Sequence, residues 1–147
     1  MVYKFTIDGR PMTKKNSMTK THYGLIQSKQ YRDYEKAALC QLMTQKPRGF
    51  RAIDCAARMY AEYYMPNRKG WPDLFGLVQA TADILEKAGI VEDDGYIADV
   101  AYSCIAGVDP VWPRAEIKVI PMPDDKLNEL HPKLRKKLKM IGGTRNE

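Results

Sequence analysis

Apolar and polar positions alternate in two parts of the chain and follow a helical period in two others. Alternation over 2–7 and over 52–65 predicts two strands. Apolar side chains recur at i, i+3, i+4 and i+7 between 74 and 88, which predicts an amphipathic helix. A weaker pattern of the same kind predicts a helix over 29–43. Strands and helices are therefore expected to alternate in this part of the chain.

The other segments predict a loop, two further strands and a third helix. Residues 13–27 show no apolar period and are rich in Lys, Thr, Ser and Asn, which predicts a basic loop. Two strands are predicted over 96–105 and 115–120, and their order suggests a hairpin. Four leucines among basic residues between 127 and 138 predict a short amphipathic helix.

This order of elements predicts an α+β fold. We expect a single domain in which two main helices pack on a mixed β-sheet, with a short basic C-terminal helix in addition. The domain is predicted to span 1–123, and the basic helical tail is predicted to span 124–147.

The composition is that of one ordinary globular domain, with 147 residues, 44% hydrophobic and 29% charged. Cys40, Cys55 and Cys104 lack CxxC spacing, which favours reduced thiols and a cytoplasmic location over a disulfide scaffold or a zinc site. No apolar run approaches about 18 residues, so we expect a soluble protein that does not bind a membrane.

The net charge of +6 is distributed unevenly. Residues 73–99 contain seven acidic side chains and one basic side chain, whereas 1–36, 46–69 and 126–147 are each strongly basic. Cationic surface suits phosphates and clustered carboxylates suit Mg²⁺, so the pattern is that of a metal-dependent nucleic-acid enzyme. A basic protein with a solvated acidic helix has the same charge pattern.

Four carboxylates of the acidic segment are the candidates for chemistry: Asp73, Asp83, Asp93 and Asp94. Each also has a structural explanation, because Asp73 can cap a helix, Asp83 can bond a neighbouring loop, and Asp93 and Asp94 can form a turn. Asp73 and Asp83 are about 15 Å apart along a helix axis, too far for one metal ion to bridge them.

The joint pattern of these carboxylates resembles the signature of the RusA family of Holliday junction resolvases. Residues 73–97 read DLFGLVQATADILEKAGIVEDDGYI, and the family core runs D-x-D-N-L-x-K-x-x-x-D-x-L, then a Gly, then D-D-x-x-I. Residues 7–16, IDGRPMTKKN, resemble the family's opening strand, its G-x-P turn and the basic loop that follows. The similarity covers about residues 3–120.

The resemblance implies a small homodimeric endonuclease that acts in recombination and repair. Such an enzyme would bind four-way and other branched DNA and cut it with Mg²⁺, or with Mn²⁺ in its place. By position, Asp73 and Asp94 would be metal ligands and catalytic residues, with Asp93 and Asp83 as further carboxylates of the site. The cations expected to hold DNA phosphates are Lys14, Lys15, Lys20, Arg68 and Lys69.

Three positions depart from the family core: Phe75 replaces its second Asp, Gly76 its Asn and Gln79 its Lys. Phe75 cannot bind a metal ion, and Gln79 supplies no positive charge at the scissile phosphate. We therefore expect the fold and DNA binding to be retained, with the catalytic centre either rebuilt around Asp73, Asp93 and Asp94 or lost.

Two other interpretations remain open at this point. The first is a catalytically impaired protein of the same fold that binds branched or single-stranded DNA. Tyr63, Tyr64 and Trp71 could then stack on bases, although aromatic residues before a turn more often belong to the core. The second takes the acidic segment as a protein-interaction face and the basic tail as a docking helix.

Overall fold

Five strands form one mixed sheet, and two helices pack on it in the computed structural model. The structure describes residues 1–14, 18–21 and 24–145, with side chains for 1–14 and 28–140. The elements are β1 (Tyr3–Asp8), β2 (Met18–Thr21), β3 (Gly24–Gln27), α1 (Lys29–Gln45), β4 (Ala57–Met65), α2 (Leu74–Lys87), a 3₁₀ turn (Asp94–Tyr96), β5 (Ile97–Asp99), β6 (Cys104–Val108), β7 (Arg114–Pro121), α3 (Leu127–Leu130) and α4 (Pro132–Arg145). The predicted α+β fold is confirmed.

Strand β4 is the centre of the sheet. It pairs antiparallel with β7 along one edge, and β1 pairs antiparallel with the far side of β7. Along its other edge β4 pairs parallel with β5 and then with β6. Every second residue of β4 is buried, as the alternation in the sequence predicted.

The core lies between the sheet and the two long helices. Met59 and Tyr63 of β4 belong to one buried cluster with Leu42 of α1 and Leu77 of α2. The Tyr63 hydroxyl lies 2.7 Å from the hydroxyl of Thr81, so this polar group is satisfied inside the core.

The C-terminal end of α2 turns sharply at Gly89, which has φ +72°. The backbone N–H groups of Gly89 and Ile90 donate to the carbonyls of Glu86 and Leu85, both at 2.9 Å. This pair of hydrogen bonds is a Schellman motif, which needs the left-handed conformation that glycine adopts readily. The chain therefore leaves the helix and runs back towards the sheet.

The end of the chain is tied to the domain by Asn128 of α3. Its side-chain oxygen accepts a bond from the Ala56 N–H at 2.8 Å, and its amide nitrogen donates to the Met122 carbonyl at 2.7 Å. In α4, Leu134 is buried in a small cluster that contains Ala56 and Tyr96. The domain boundary at residue 123 stays a prediction, but residues beyond it pack on the sheet domain.

The predicted hairpin between 96–105 and 115–120 is wrong. Strand β6 pairs with β4, while both edges of β7 are occupied by β1 and β4. The predicted strand over 96–105 is interrupted between β5 and β6. Ser103 lies at this interruption, and its hydroxyl accepts the Ala61 N–H at 3.1 Å where a strand would offer a backbone carbonyl. Tyr102, with φ +68°, turns the chain between β5 and β6.

The predicted basic loop over 13–27 is also partly wrong. Strands β2 and β3 pair antiparallel within it, from Met18 opposite Gln27 to Thr21 opposite Gly24. This two-stranded sheet is separate from the main one. Its backbone pairing does not require the alternation of apolar and polar residues that marks a half-buried strand, so the sequence pattern did not predict it.

We expect Asn128→Ala to lower the free energy of unfolding by about 2–3 kcal/mol, because it leaves the buried Ala56 N–H without its acceptor. Urea denaturation measures the change. Glu129→Ala, at the neighbouring exposed position, is the control and should be nearly neutral. Equal stability of the two variants would contradict the anchoring role of Asn128.

Candidate functional site

Three carboxylates converge where α2 ends. Asp83 and Glu86 lie one helical turn apart on α2, and Asp94 begins the 3₁₀ turn that follows. Each offers an oxygen, and these oxygens all lie within 4.8 Å of one another. The backbone N–H of Asp94 also donates to Oε1 of Glu86 at 3.1 Å, which fixes the two residues relative to each other.

Backbone bonds bring Asp94 back beside α2. After Gly89, Ile53 bridges to Val91, with bonds of 2.9 Å from the Ile53 N–H to Ile90 and from the Glu92 N–H to Ile53. Asp93 then caps the 3₁₀ turn, because its Oδ1 accepts the Gly95 N–H at 2.8 Å. The position of Asp94 is therefore set by the bridge to Ile53 and by the end of the helix together.

Four lysines pair with the carboxylates around this cluster. The pairs are Lys14 with Asp83 (2.7 Å), Lys87 with Asp83 (3.3 Å) and Glu35 (3.0 Å), Lys133 with Asp93, and Lys137 with Glu92 (2.6 Å). Among the residues whose side chains are described, Glu86 and Asp94 form no ion pair. These six carboxylates and four ammonium groups leave two negative charges unbalanced, the charge that one divalent cation neutralises.

The pKa values reflect this uneven distribution of charge. Partial burial raises the pKa of Asp94 above its usual value, and the charges of Glu86, Asp93 and Asp83 raise it further. Burial also acts to raise the pKa of Asp83, but the hydrogen bonds and charges of Lys14 and Lys87 outweigh it and lower this pKa. Negative charge is thus least compensated at Asp94.

The donor set suits a hard divalent cation. Asp83, Glu86 and Asp94 offer only carboxylate oxygens, the ligand type that Mg²⁺ and Mn²⁺ take in proteins. A cation would also relieve the repulsion that raises the pKa of Asp94. The residues present therefore fit a divalent metal ion.

Asp73 lies at the opposite end of α2 from this cluster. Its Oδ1 accepts the Gly76 N–H at 2.6 Å and caps the helix, about 15 Å along the axis from Asp83. A Cβ at position 76 would approach that Oδ1 to 2.9 Å and Cγ2 of Thr13 to 3.0 Å. The family core has Asn at this position, but here the close contacts leave no room for a side chain, so glycine fits at position 76.

The other departures from the family core face solvent. Phe75 is 88% exposed, and Gln79 is exposed one turn further along α2. At 100° per residue, both lie within about 20° of Glu86 around the helix axis. Phe75, Gln79 and Glu86 therefore lie on the same face of α2. Glu86 was not among the candidates predicted from the sequence, although it lies only three residues after Asp83.

The predicted DNA-binding cations fall in different places. Lys14 pairs with Asp83 in the cluster. Arg68 and Lys69 are exposed in the turn that joins β4 to α2, and the Arg10 guanidinium donates to the Lys69 carbonyl at 3.3 Å. The side chains of Lys15 and Lys20 lie outside the described residues.

The three candidate stacking residues differ in access to a base. Tyr63 is 1% exposed inside the core, which agrees with the core position expected of most aromatic residues before a turn and excludes stacking on a base. Tyr64 is covered by the Arg114 guanidinium, 3.9 Å from its ring centre. Trp71 is 43% exposed, and its ring N–H donates to the Asn67 carbonyl at 2.6 Å.

Comparison with known proteins identifies one family. The family model described as Endodeoxyribonuclease RusA matches residues 8–120, which include the whole carboxylate cluster. No curated protein matches the chain. Among the described helices, none has the length and apolar content needed to cross a membrane.

We expect Asp94→Asn to raise the melting temperature of the metal-free protein by about 1–2 °C. The raised pKa means that ionised Asp94 costs more free energy in the folded chain than in the unfolded one, so removing the charge stabilises the fold at pH 7. Mn²⁺ at ten times its Kd should raise the melting temperature of the original protein by about 3–6 °C and that of the variant much less. Asp124→Asn, at an exposed site outside the cluster, is the control. An equal Mn²⁺ effect on Asp94→Asn and the original protein would contradict the site.

Proposed function

The chain belongs to the RusA family of endodeoxyribonucleases, and we propose that it cuts DNA with a divalent cation held by Asp83, Glu86 and Asp94. The observation that carries this proposal is the convergence of these carboxylates inside the matched residues, with Glu86 and Asp94 unpaired among the described side chains. Holliday junctions and other branched DNA are the proposed substrates, and recombination and repair are the proposed setting. Mg²⁺ is the proposed ion, with Mn²⁺ as a substitute.

Each carboxylate has a distinct task in the proposed centre. Lys14 and Lys87 hold Asp83 in its ionised form, and the Asp94 N–H orients the Glu86 carboxylate. Glu86 and Asp94 offer oxygens that no described lysine occupies. When bound, the cation supplies Lewis-acid activation of water and neutralises charge on the phosphodiester.

The proposed centre accounts for the departures at Phe75 and Gln79. The metal ligands lie at the C-terminal end of α2, so a carboxylate at position 75 is not required. The ammonium group of Lys14 lies 2.7 Å from Asp83, so a lysine is present at the proposed centre although position 79 is a glutamine. On this proposal Asp73 is a helix cap, and Asp93 is a residue that shapes the turn.

DNA binding is proposed to rest on the backbone phosphates. Arg68 and Lys69 form an exposed cationic turn, and Lys15 and Lys20 belong to the basic segment after β1. Such interactions attach the protein to DNA without reading its sequence. We also propose a homodimer, because cutting two strands of a junction symmetrically requires two centres.

A second candidate function is branched-DNA binding without cleavage. The exposed Phe75 and Gln79, on the helix face that leads to Glu86, are the observation that favours it. This function predicts DNA binding that depends on salt and not on divalent metal.

We expect Glu86→Gln and Asp94→Asn each to lower Mg²⁺-dependent cleavage of a four-way junction by about 100-fold or more, because each removes a metal ligand. A junction-cleavage assay with Mg²⁺ and Mn²⁺ measures the rate, and gel-shift titration checks that binding persists. Asp73→Asn is the discriminating variant and should retain most activity, provided that the fold is stable. Asp124→Asn is the control.

Two results would contradict this proposal. Loss of cleavage in Asp73→Asn, with normal cleavage in Glu86→Gln, would place the metal ions at the other end of α2. Tight junction binding by the original protein without cleavage in either metal would favour the binding-only function.

We expect Arg68→Gln and Lys69→Gln together to weaken junction binding and to reduce the slope of log affinity against log salt by about 0.9 for each phosphate that is no longer neutralised. Fluorescence anisotropy over a series of salt concentrations measures the slope. Arg48→Gln, an exposed cation after α1, is the control. The same slope in the double variant as in the control would exclude this turn from the DNA interface.

A further inference from the structure

The C-terminal helix α4 packs against the acidic turn formed by Glu92, Asp93 and Asp94, although α4 lies outside the residues that match the family. Lys133 donates to Oδ2 of Asp93, and Lys137 pairs with Glu92 at 2.6 Å. The Lys137 ammonium also lies 5.6 Å from the centre of the Tyr96 ring. With Leu134 buried beneath it, α4 has a fixed place beside the cluster.

Asp93 connects this helix to the metal centre through its two oxygens. Oδ1 accepts the Gly95 N–H at 2.8 Å and holds the turn that contains Asp94, while Oδ2 accepts from Lys133. The Asp94 N–H in turn bonds Glu86. A change in the interaction between Lys133 and Asp93 would therefore alter the turn that places a proposed ligand.

We propose that Lys133 is a positioning residue of the nuclease centre, which keeps Asp93 out of the metal coordination and fixes the turn that carries Asp94. This inference rests on the proposed function, because it concerns the same carboxylates. It makes α4 part of the active unit rather than an appended tail.

The charges give this role a signature that can be measured. The carboxylates and lysines of the region leave two negative charges, and removal of Lys133 leaves three. A divalent cation would then be attracted more strongly, and the freed Asp93 carboxylate would become an additional ligand. The metal ion would bind more tightly but in an altered geometry, so affinity and rate should change in opposite directions.

The structure offers a matched set of variants at this helix. Lys133 is 64% exposed along its side chain, so its truncation leaves no core cavity. Lys133→Met removes the charge, and Lys133→Arg keeps both the charge and a donor. Lys136→Met removes an exposed charge from the same helix, at a residue without an ion pair among the described side chains.

The test measures Mn²⁺ binding to the full-length protein without DNA, by calorimetry, and single-turnover cleavage of a junction at saturating Mn²⁺. For Lys133→Met we expect the Kd for Mn²⁺ to fall about fivefold, because a repulsive positive charge is removed, and the cleavage rate to fall about tenfold. Lys133→Arg should remain within about twofold of the original protein in both measurements. Lys136→Met should leave Mn²⁺ affinity and cleavage rate unchanged.

Three results would overturn the inference. The first is unchanged or weaker Mn²⁺ binding by Lys133→Met, and the second is a Lys133→Arg variant as impaired as Lys133→Met. The third is a raised KM for DNA at an unchanged rate, which would make Lys133 a phosphate-binding residue. If the original protein binds Mn²⁺ but cuts no DNA, the proposed function fails, and the Mn²⁺ affinities still decide the role of Lys133. A destabilised Lys133→Met is replaced by Lys133→Gln, judged by the same two measurements.

Discussion

Mutual repulsion among the carboxylates at the end of α2 is the interaction that the surrounding structure must balance. Asp83, Glu86 and Asp94 are held within a few ångströms of one another, although like charges at such distances oppose folding. Ordinary packing would separate them. Here the Schellman turn at Gly89 and the bridge between Ile53 and Val91 hold them together. Repulsion that lowers the stability of the fold in this way is typical of a site kept for binding or chemistry.

The balance comes from one lysine on α2 and from two lysines that are distant in sequence. Lys14 follows the first strand, Lys87 ends α2 itself, and Lys133 comes from the last helix. Lys14 and Lys87 pair with Asp83, and Lys133 pairs with Asp93 beside the cluster, which leaves Glu86 and Asp94 without an ion pair among the described side chains. Fixed cations thus surround a centre of opposite charge, which explains why segments as far apart as the two ends of the domain meet at one helix terminus.

Local pattern predicted the elements well where a single period dominates. The sides of β1 and β4 and the extent of α2 follow directly from their alternation and helical spacing. The hairpin after residue 96 was predicted wrongly, because β7 pairs with β1 and β4, and this long-range choice of partners is not encoded in any local periodicity. For the site, the family core predicted Asp73 as a metal ligand, and this role stays a prediction. The proposed role of Glu86 comes from the tertiary structure, which places its carboxylate near those of Asp83 and Asp94. The ion pair between Lys133 and Asp93 joins residues 40 positions apart, and only the tertiary structure shows it.

The closeness in sequence of Asp83, Glu86 and Asp94 has a consequence for how the chain folds. All three lie on α2 and the turn after it, so bringing them together closes only a short loop, which costs little entropy, although the bridge between Ile53 and Val91 is also needed to hold the turn in place. Lys14 and Lys133 arrive only when the β1 region and α4 dock. Before these contacts form, Lys87 is the only one of these lysines that α2 itself supplies, and dissolved cations screen the remaining repulsion. We therefore expect the surroundings of the carboxylate cluster to be completed by long-range contacts and to form more readily when dissolved cations are present, even though the acidic part of the cluster is local in sequence.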